Sequence, residues 1–325
     1  MTTRPMTLDQ LLGAALAEHQ GGRLQQAEDL YREVLRRHPD HPRALEMLGV
    51  LAGQVNQPQM AEQLLRRSVQ VQPARAEAWL HLGLLMQTQG RFAEAVPAFE
   101  RVIALVPGSA SGYCNLANTL QMMGRPHDAV TAAERAIALH PTLPESHNNL
   151  GNALSSLGRH ERAIAAYRRA IELNPRFAAA CFNLGNVYLA IDRDELAAQA
   201  FGAAAAHQPG FFAAQFNLGS MQKKLGRLEE AITAFTAARS LQPNHPGINN
   251  SLGVVLQARG RLAEAIECYR LQVKTDPADP FGHNNLGTPA FEEALFRGHC
   301  AAVNVLARLD SSYTREKWSR CAVEK

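Results

Sequence analysis

The sequence is poor in cysteine, and its five cysteines form no C-x-x-C pair. Structural zinc sites and small disulfide frameworks both need cysteines at short, regular spacing, so neither kind of site is predicted. Isolated cysteines are typical of a protein that is kept in a reducing compartment. The five residues are Cys114, Cys181, Cys268, Cys300 and Cys321.

The sequence also lacks long apolar runs and clustered charge. Arg4, Asp9 and Glu18 interrupt the apolar core that a signal peptide would need in residues 1–20, and no later stretch reaches the ~18 apolar residues of a membrane span. The 33 basic and 30 acidic residues give a net charge of +3 without the basic stripe that follows a nucleic-acid backbone. We therefore expect a cytoplasmic protein that neither inserts into a membrane nor binds nucleic acid.

Motifs that carry catalysis are missing as well. The chain has no H-E-x-x-H, no phosphate-binding glycine loop and no G-x-S-x-G. Acid pairs such as Glu229–Glu230 have no third group at a fixed spacing, which favours solvated helix faces. We predict no enzyme activity, no metal and no cofactor. Four of the twelve histidines precede or adjoin prolines and are expected to be solvated turn residues: His38, His140, His207 and His245.

What the sequence does contain is one pattern repeated every 34 residues. A Leu-Gly pair is followed by alanine after twelve residues and by proline after twelve more, as in Leu48-Gly49, Ala61 and Pro73. A period of this length indicates stacked helical or strand repeats rather than a single globular core. Eight complete repeats begin at residues 8, 42, 76, 110, 144, 178, 212 and 246, and we number the positions of each from 1 to 34.

Small and large residues alternate at fixed positions of the repeat. Position 20 is alanine in all eight repeats, and position 8 is always glycine or alanine. Position 24 is tyrosine, phenylalanine or leucine, with Ala133 as the exception. Small residues let two helices approach at the close end of the usual ~8–10 Å separation, and a large side chain fills the groove that they open. These positions therefore predict a core contact inside each repeat.

Two further positions predict where helices end. Position 15 is glycine in six repeats, and glycine readily takes the left-handed conformation that terminates a helix. Position 32 is proline in all eight repeats, and proline cannot continue a helix because it lacks an amide hydrogen. Each repeat is thus expected to hold a first helix that ends near position 15 and a second that ends before position 32.

With these residues at a 34-residue period, the chain resembles the tetratricopeptide repeat family. The resemblance implies an all-α fold, a right-handed superhelical solenoid of antiparallel helix pairs whose first helices line a concave face. It also implies a protein or peptide ligand. The expected organisation is an N-terminal tail (1–7) and eight repeats over 8–279, namely 8–41, 42–75, 76–109, 110–143, 144–177, 178–211, 212–245 and 246–279.

Asparagine recurs at two positions of the first helix, where helices disfavour it because its side chain competes for backbone hydrogen bonds. In the family these positions face the concave groove, and a carboxamide offers the donor and acceptor that a peptide backbone needs. Alternatively, the asparagines bond to helix carbonyls or to one another and hold the stack together. The peptide-binding candidates are Asn115, Asn149, Asn183, Asn217 and Asn285 at position 6, with Asn118, Asn152 and Asn186 at position 9.

This asparagine series is similar to the one in the repeat domain of the O-linked N-acetylglucosamine transferases, where asparagines hold the substrate backbone. Only 38 residues follow Gly287, too few for that family's sugar-transfer domain. The likeness therefore implies a non-catalytic scaffold that binds an extended protein segment. The alternatives are the substrate-binding part of such a transferase, with its catalytic domain missing or on another chain, and self-assembly through the ends of the solenoid.

Position 5 argues against a second kind of groove known in the family, the carboxylate clamp that grips an acidic C-terminus. That clamp needs lysine at position 5, whereas this chain has Glu46, Leu80, Cys114, Phe182 and Phe216 in five of its repeats. The two phenylalanines at a concave position could pack against apolar side chains of a ligand or against the adjoining helix.

The pattern breaks after Gly287, where Thr288-Pro289 replaces the expected continuation of a first helix. We predict a degenerate ninth repeat or capping helix over 280–310 and a polar tail over 311–325. A change of reading frame after Gly287 is the alternative explanation.

Overall fold

The computed structural model describes residues 6–277 together with residues 285 and 286. All regular structure in these ranges is α-helical, which confirms the predicted all-α repeat fold. The rest of the predicted ninth repeat, the polar tail (311–325) and residues 1–5 lie outside the described residues. The first helices of the repeats are α1 (Leu8–Gln20), α3 (Pro42–Gln54), α5 (Ala76–Thr88), α7 (Ala110–Met122), α9 (Pro144–Ser156), α11 (Ala178–Ala190), α13 (Phe212–Lys224) and α15 (Ile248–Ala258). The second helices are α2 (Leu24–Arg37), α4 (Pro58–Val71), α6 (Phe92–Leu105), α8 (Pro126–Leu139), α10 (His160–Leu173), α12 (Asp194–His207), α14 (Leu228–Leu241) and α16 (Leu262–Thr275).

The chain divides into two compact parts, an N-terminal part (residues 1–174) and a C-terminal part (residues 175–325). The N-terminal part contains α1 to α10, and the C-terminal part contains α11 to α16. Inside each part, a first helix packs against the second helix of its own repeat, and that second helix packs against the next first helix. Each part is therefore built from nearest-neighbour contacts, as expected for a repeat protein.

The closest of these contacts joins position 8 to position 24 of the same repeat. A Cβ atom added to Gly151 would lie only 2.6 Å from a ring carbon of Tyr167, and one added to Gly253 would lie 2.6 Å from Tyr269. The ring thus lies directly on the glycine backbone, as the alternation of small and large residues predicted. Five repeats share this arrangement: Gly83 with Phe99, Gly151 with Tyr167, Gly185 with Phe201, Gly219 with Phe235, and Gly253 with Tyr269.

Both predicted helix ends are confirmed. All six glycines at position 15 have a positive φ, between 68° and 80°. The two repeats without glycine place Asn56 and Asp192 there with φ of 58° and 55°, and these are the two polar residue types that tolerate this conformation best. Each second helix ends two residues before its position-32 proline, as α2 does at Arg37 before Pro39.

The contact between positions 8 and 24 makes glycine specifically necessary where a ring covers it. We expect Gly151→Ala to lower the free energy of unfolding by about 1–3 kcal/mol, because the added methyl group would displace the buried Tyr167 ring. Gly53→Ala is the matched control, since its Cβ would have no atom nearer than 4.0 Å and alanine favours the helix. Chemical denaturation of both variants measures the difference; equal stability of the two would contradict the close contact.

Candidate functional site

The first helices lie on the inner side of each part. In the N-terminal part, successive first helices contact one another directly, α1 with α3, α3 with α5, α5 with α7, and α7 with α9. In the C-terminal part, α13 contacts α15 in the same way. Successive second helices of the described repeats make fewer contacts with one another than these successive first helices do. Residues on the exposed side of the first helices therefore form the inner surface. Seven of the eight predicted asparagines lie in the first helices, all except Asn285.

Three of the eight predicted asparagines hydrogen-bond inside the protein. Asn149 is buried, and its Nδ2 donates to the carbonyl oxygen of Cys114 at 3.0 Å. Asn285 Nδ2 donates to Asn250 Oδ1 at 2.7 Å. Asn152 Oδ1 accepts a hydrogen bond from the hydroxyl of Tyr167 at 2.7 Å. These side chains connect helices, which is the arrangement that the structural alternative predicts. Asn183 also has an interaction within the protein.

The other four asparagines have half-buried side chains that hydrogen-bond to no residue the structure describes. Asn115 and Asn118 lie three residues apart in α7 and so share one face of that helix. The remaining two are Asn186 in α11 and Asn217 in α13. Each retains an unused donor and an unused acceptor, so each part presents two carboxamides that a ligand could bind.

A buried ion-pair cluster occupies the same surface in the second and third repeats. The Glu46 side chain is only 1% exposed, and it pairs with Arg75 and with His81 Nδ1, the latter at 2.9 Å from Oε1. Burial alone would raise the pKa of Glu46. The hydrogen bonds from His81 and Arg75 and the charge of Arg75 outweigh that effect and hold the pKa below its usual value. In the sequence, Glu46 was noted only because position 5 lacks the lysine of a carboxylate clamp. The ion-pair cluster around it was not predicted.

Aromatic side chains cluster around the first helices of the C-terminal part. Phe182 is half-buried, with its ring centroid 4.8 Å from Phe211 and 5.5 Å from Phe201. It therefore packs against neighbouring helices while keeping an exposed edge. The expectation that His245 is a solvated turn residue is wrong, because its ring lies 4.5 Å from Phe212 and 5.6 Å from Phe216 and is half-buried.

Some of the position-32 prolines have a second role that the sequence analysis missed. Their carbonyl oxygens accept hydrogen bonds from position 4 of the next repeat, from Trp79 Nε1 to Pro73 at 2.9 Å and from His147 Nε2 to Pro141 at 2.8 Å. This bond fixes the turn that joins two repeats. A donor six residues after each such proline is the sequence signal that could have revealed it.

The described residues contain no group of histidine, cysteine and acidic side chains that could hold a metal ion. Burial raises the pKa of the Cys114, Cys181 and Cys268 thiols, which makes them poor nucleophiles. In the described part of the chain, no helix combines the length and apolar character that crossing a membrane requires.

Comparison with protein families agrees with this geometry. The family model for the C-terminal domain of cilia and flagella-associated protein 70, a tetratricopeptide repeat model, matches residues 111–288, which is more than half of the chain. Two general tetratricopeptide repeat models match residues 74–142 and 8–51. The chain belongs to this tetratricopeptide repeat family. A comparison with curated proteins finds no match. The family's repeat fold is consistent with a scaffold for protein–protein interaction.

Solved tetratricopeptide repeat structures share the fold. The Cut9–Hcn1 hetero-tetramer of the APC/C has a TM-score of 0.57 at 18% identity, and the match covers 86% of this chain and 55% of that one. The present chain therefore spans about half the length of that relative. PilF of Pseudomonas aeruginosa has a TM-score of 0.56 at 18% identity, and the match covers 64% of this chain and 95% of PilF. YrrB is described as a tetratricopeptide repeat protein with an unusual peptide-binding site. It has a TM-score of 0.50 at 20% identity, and the match covers 57% of this chain and 96% of YrrB.

The Asn149 hydrogen bond is expected to contribute to stability. Asn149→Ala should lower the free energy of unfolding by about 0.5–1.5 kcal/mol, because the bond from Nδ2 to the Cys114 carbonyl is lost inside the protein. Asn118→Ala is the matched control, with no side-chain bond to lose among the described residues and with a gain in helix propensity. Denaturant unfolding followed by circular dichroism measures the free energy of unfolding of both variants. A smaller loss for Asn149→Ala than for Asn118→Ala would contradict a stabilising bond from Asn149 to Cys114.

The Glu46 cluster predicts a specific response to acid. Because its pKa is lower in the folded protein, Glu46 adds stability above its ordinary pKa near 4.5, and that stability is lost as the pH falls through the lower folded value. We expect Glu46→Gln to cost about 1–3 kcal/mol at neutral pH, where Arg75 loses its partner. The difference from wild type should shrink below pH 4.5.

Hydrogen exchange of amides in α3 and α5 measures this effect in the full chain at several pH values. Glu18→Gln is the control, since Glu18 forms an exposed pair with Arg23 that solvent screens. A penalty for Glu46→Gln that stays constant from neutral pH into strong acid would show that the carboxylate charge is not stabilising.

Proposed function

We propose that this protein is a non-catalytic scaffold that binds an extended protein or peptide segment along the inner surface of its first helices. The observation that carries the proposal is the set of four half-buried carboxamides without a hydrogen-bonding partner among the described residues: Asn115, Asn118, Asn186 and Asn217. A helix interior disfavours asparagine, and these four gain no internal bond in return.

A peptide backbone supplies the missing partners. Each peptide unit offers one N–H donor and one C=O acceptor, and a carboxamide can satisfy both at once without reading the side chains. Successive first helices lie on the order of 10 Å apart, and an extended chain rises ~3.3 Å per residue, so neighbouring repeats would meet about every third ligand residue. The support for this proposal is therefore the chemistry of the carboxamides together with their placement on the first helices of their repeats.

Hydrogen-bond energetics give an estimate of the ligand's binding free energy. A net gain of about 0.5–1.5 kcal/mol per hydrogen bond gives a few kcal/mol in total before the cost of ordering the ligand. We expect weak binding by each part of the chain. A partner that engages both parts at once would bind more tightly through effective concentration.

The double variant Asn115→Ala/Asn118→Ala tests the proposal in the full-length chain. An array of unstructured 15-residue synthetic peptides serves as the probe, and peptides retained by the wild type are then measured by fluorescence anisotropy. The double variant should weaken their binding about 5- to 100-fold, because each of the two lost carboxamides gives up about one net hydrogen bond to the ligand. Its melting temperature should stay close to that of the wild type, since neither side chain bonds internally within the described residues.

Two controls make the result specific. Asn149→Ala should retain the peptides despite its lower stability, because the Asn149 amide already donates to Cys114. Peptides with N-methylated backbone amides should bind less well, since they lack the donor that the carboxamide oxygen would accept. Unchanged binding by the double variant, or equal binding of N-methylated peptides, would contradict backbone recognition by these asparagines.

A further inference from the structure

The internal hydrogen bonds at position 6 follow one register. His81 pairs with Glu46, Asn149 donates to Cys114, and Asn285 donates to Asn250. In each case the acceptor lies 35 residues earlier, at position 5 of the preceding first helix. The same register thus occurs at three separate places in the described chain, twice in the N-terminal part and once in the C-terminal part, although the acceptor is a side-chain oxygen in two cases and a backbone carbonyl in the third. Position 5 is therefore the partner that the fold provides for a position-6 side chain.

At the two position-6 asparagines that form no bond, the position-5 residue of the preceding first helix has a different chemical character. The residue 35 positions before Asn115 is Leu80, and the residue 35 positions before Asn217 is Phe182. Both are bulky and apolar, and neither side chain has an atom that can accept a hydrogen bond. In the bonded cases the partner is either polar, as Glu46 and Asn250 are, or as small as Cys114, whose carbonyl Asn149 reaches. The residue at position 5 thus distinguishes the bonded position-6 asparagines from the unbonded ones.

We infer that position 5 of the preceding repeat selects which asparagines are available to a ligand, and that Leu80 with Asn115 and Phe182 with Asn217 form two equivalent subsites. Each subsite would bind one backbone amide of an extended peptide through the carboxamide and one neighbouring apolar side chain through the leucine or phenylalanine. This inference rests on the proposed function and adds the class of ligand to it. Leu80 and Phe182 thereby become specificity-determining residues.

The surroundings of both apolar residues suit this role. Leu80 is half-buried and packs against the core cluster that includes Leu65 and Phe99, so it is held in place while one side stays accessible. Phe182 is half-buried against Phe201 and Phe211 in the same manner. An apolar ligand side chain would extend these clusters and lose contact with water. A charged side chain would lose hydration there without gaining a partner, so the subsite disfavours it.

Nine-residue synthetic peptides, acetylated and amidated, test the inference. Their serine–alanine host sequence carries a single leucine, phenylalanine, glutamate or lysine at the centre. The readout is the NMR shift of the Asn115, Asn217 and Asn149 side-chain amides in the full-length protein, which also detects weak binding. The leucine and phenylalanine peptides should shift Asn115 and Asn217 but not Asn149, with about tenfold higher affinity than the charged peptides.

Substitutions at position 5 test the selection directly. Phe182→Asn gives Asn217 an acceptor 35 residues earlier, as in the pair of Asn250 and Asn285. The Asn217 amide protons should then exchange more slowly, and the affinity of the C-terminal subsite should fall about tenfold although Asn217 itself is unchanged. Phe182→Leu is the matched control and should keep binding. Leu80→Asn repeats the test at Asn115, so the inference stays testable if loss of the Phe182 ring destabilises the C-terminal part.

The outcomes separate this inference from the proposed function. Equal binding of all four peptides at Asn115 and Asn217 would overturn the apolar subsites and leave backbone recognition intact. Wild-type binding by both Phe182→Asn and Leu80→Asn would overturn the selection rule. If no peptide shifts any of the unbonded asparagines, the proposed function fails and this inference fails with it.

Discussion

The contact between a glycine backbone and a buried aromatic ring, present in five of the eight repeats, is the constraint on which the rest of the structure depends. Where Tyr167 lies on Gly151, the two helices of the repeat approach so closely that a single methyl group would overlap the ring. Residues at positions 20 and 24 are almost fully excluded from solvent, so they bury the apolar area that stabilises the pair. This contact fixes one helix against the other, and only a fixed pair can present a regular surface to the next repeat.

Because positions 8, 20 and 24 satisfy the packing, the inner face of the first helix is left for polar chemistry. The chain uses that face in two ways. Some side chains hydrogen-bond to the preceding repeat, as Asn149 does. In another place, the buried Glu46 carboxylate pairs with both Arg75 and His81. Others, such as Asn118, bond to nothing that the structure describes. One surface therefore combines residues that join repeats with residues that a ligand could use.

The sequence predicted what depends on contacts within one repeat. Glycine at position 15 and proline at position 32 act on their own backbone, so their effects could be derived from local spacing, and Asn56 and Asp192 extend the same rule to polar residues that tolerate positive φ. Bonds between repeats were not predictable in this way. Which asparagines are bonded depends on the residue at position 5 of the preceding first helix, and the packing of successive first helices is what brings positions 5 and 6 together. His245 was misjudged for the same reason, because Phe212 and Phe216 reach it from a different helix.

The 35-residue register couples stability to recognition. A carboxamide that donates to the preceding repeat contributes about 0.5–1.5 kcal/mol to stability but is then unavailable to a ligand, so one asparagine cannot perform both tasks fully. Where position 6 is asparagine, the chain meets this conflict by varying position 5. A small or polar residue such as Cys114 or Asn250 directs the asparagine inward to the stack, whereas Leu80 or Phe182 leaves it unbonded and adds an apolar surface beside it. Changing one residue per repeat can therefore move a repeat between a structural and a binding role, while the packing at positions 8, 20 and 24 that holds its helices together stays the same.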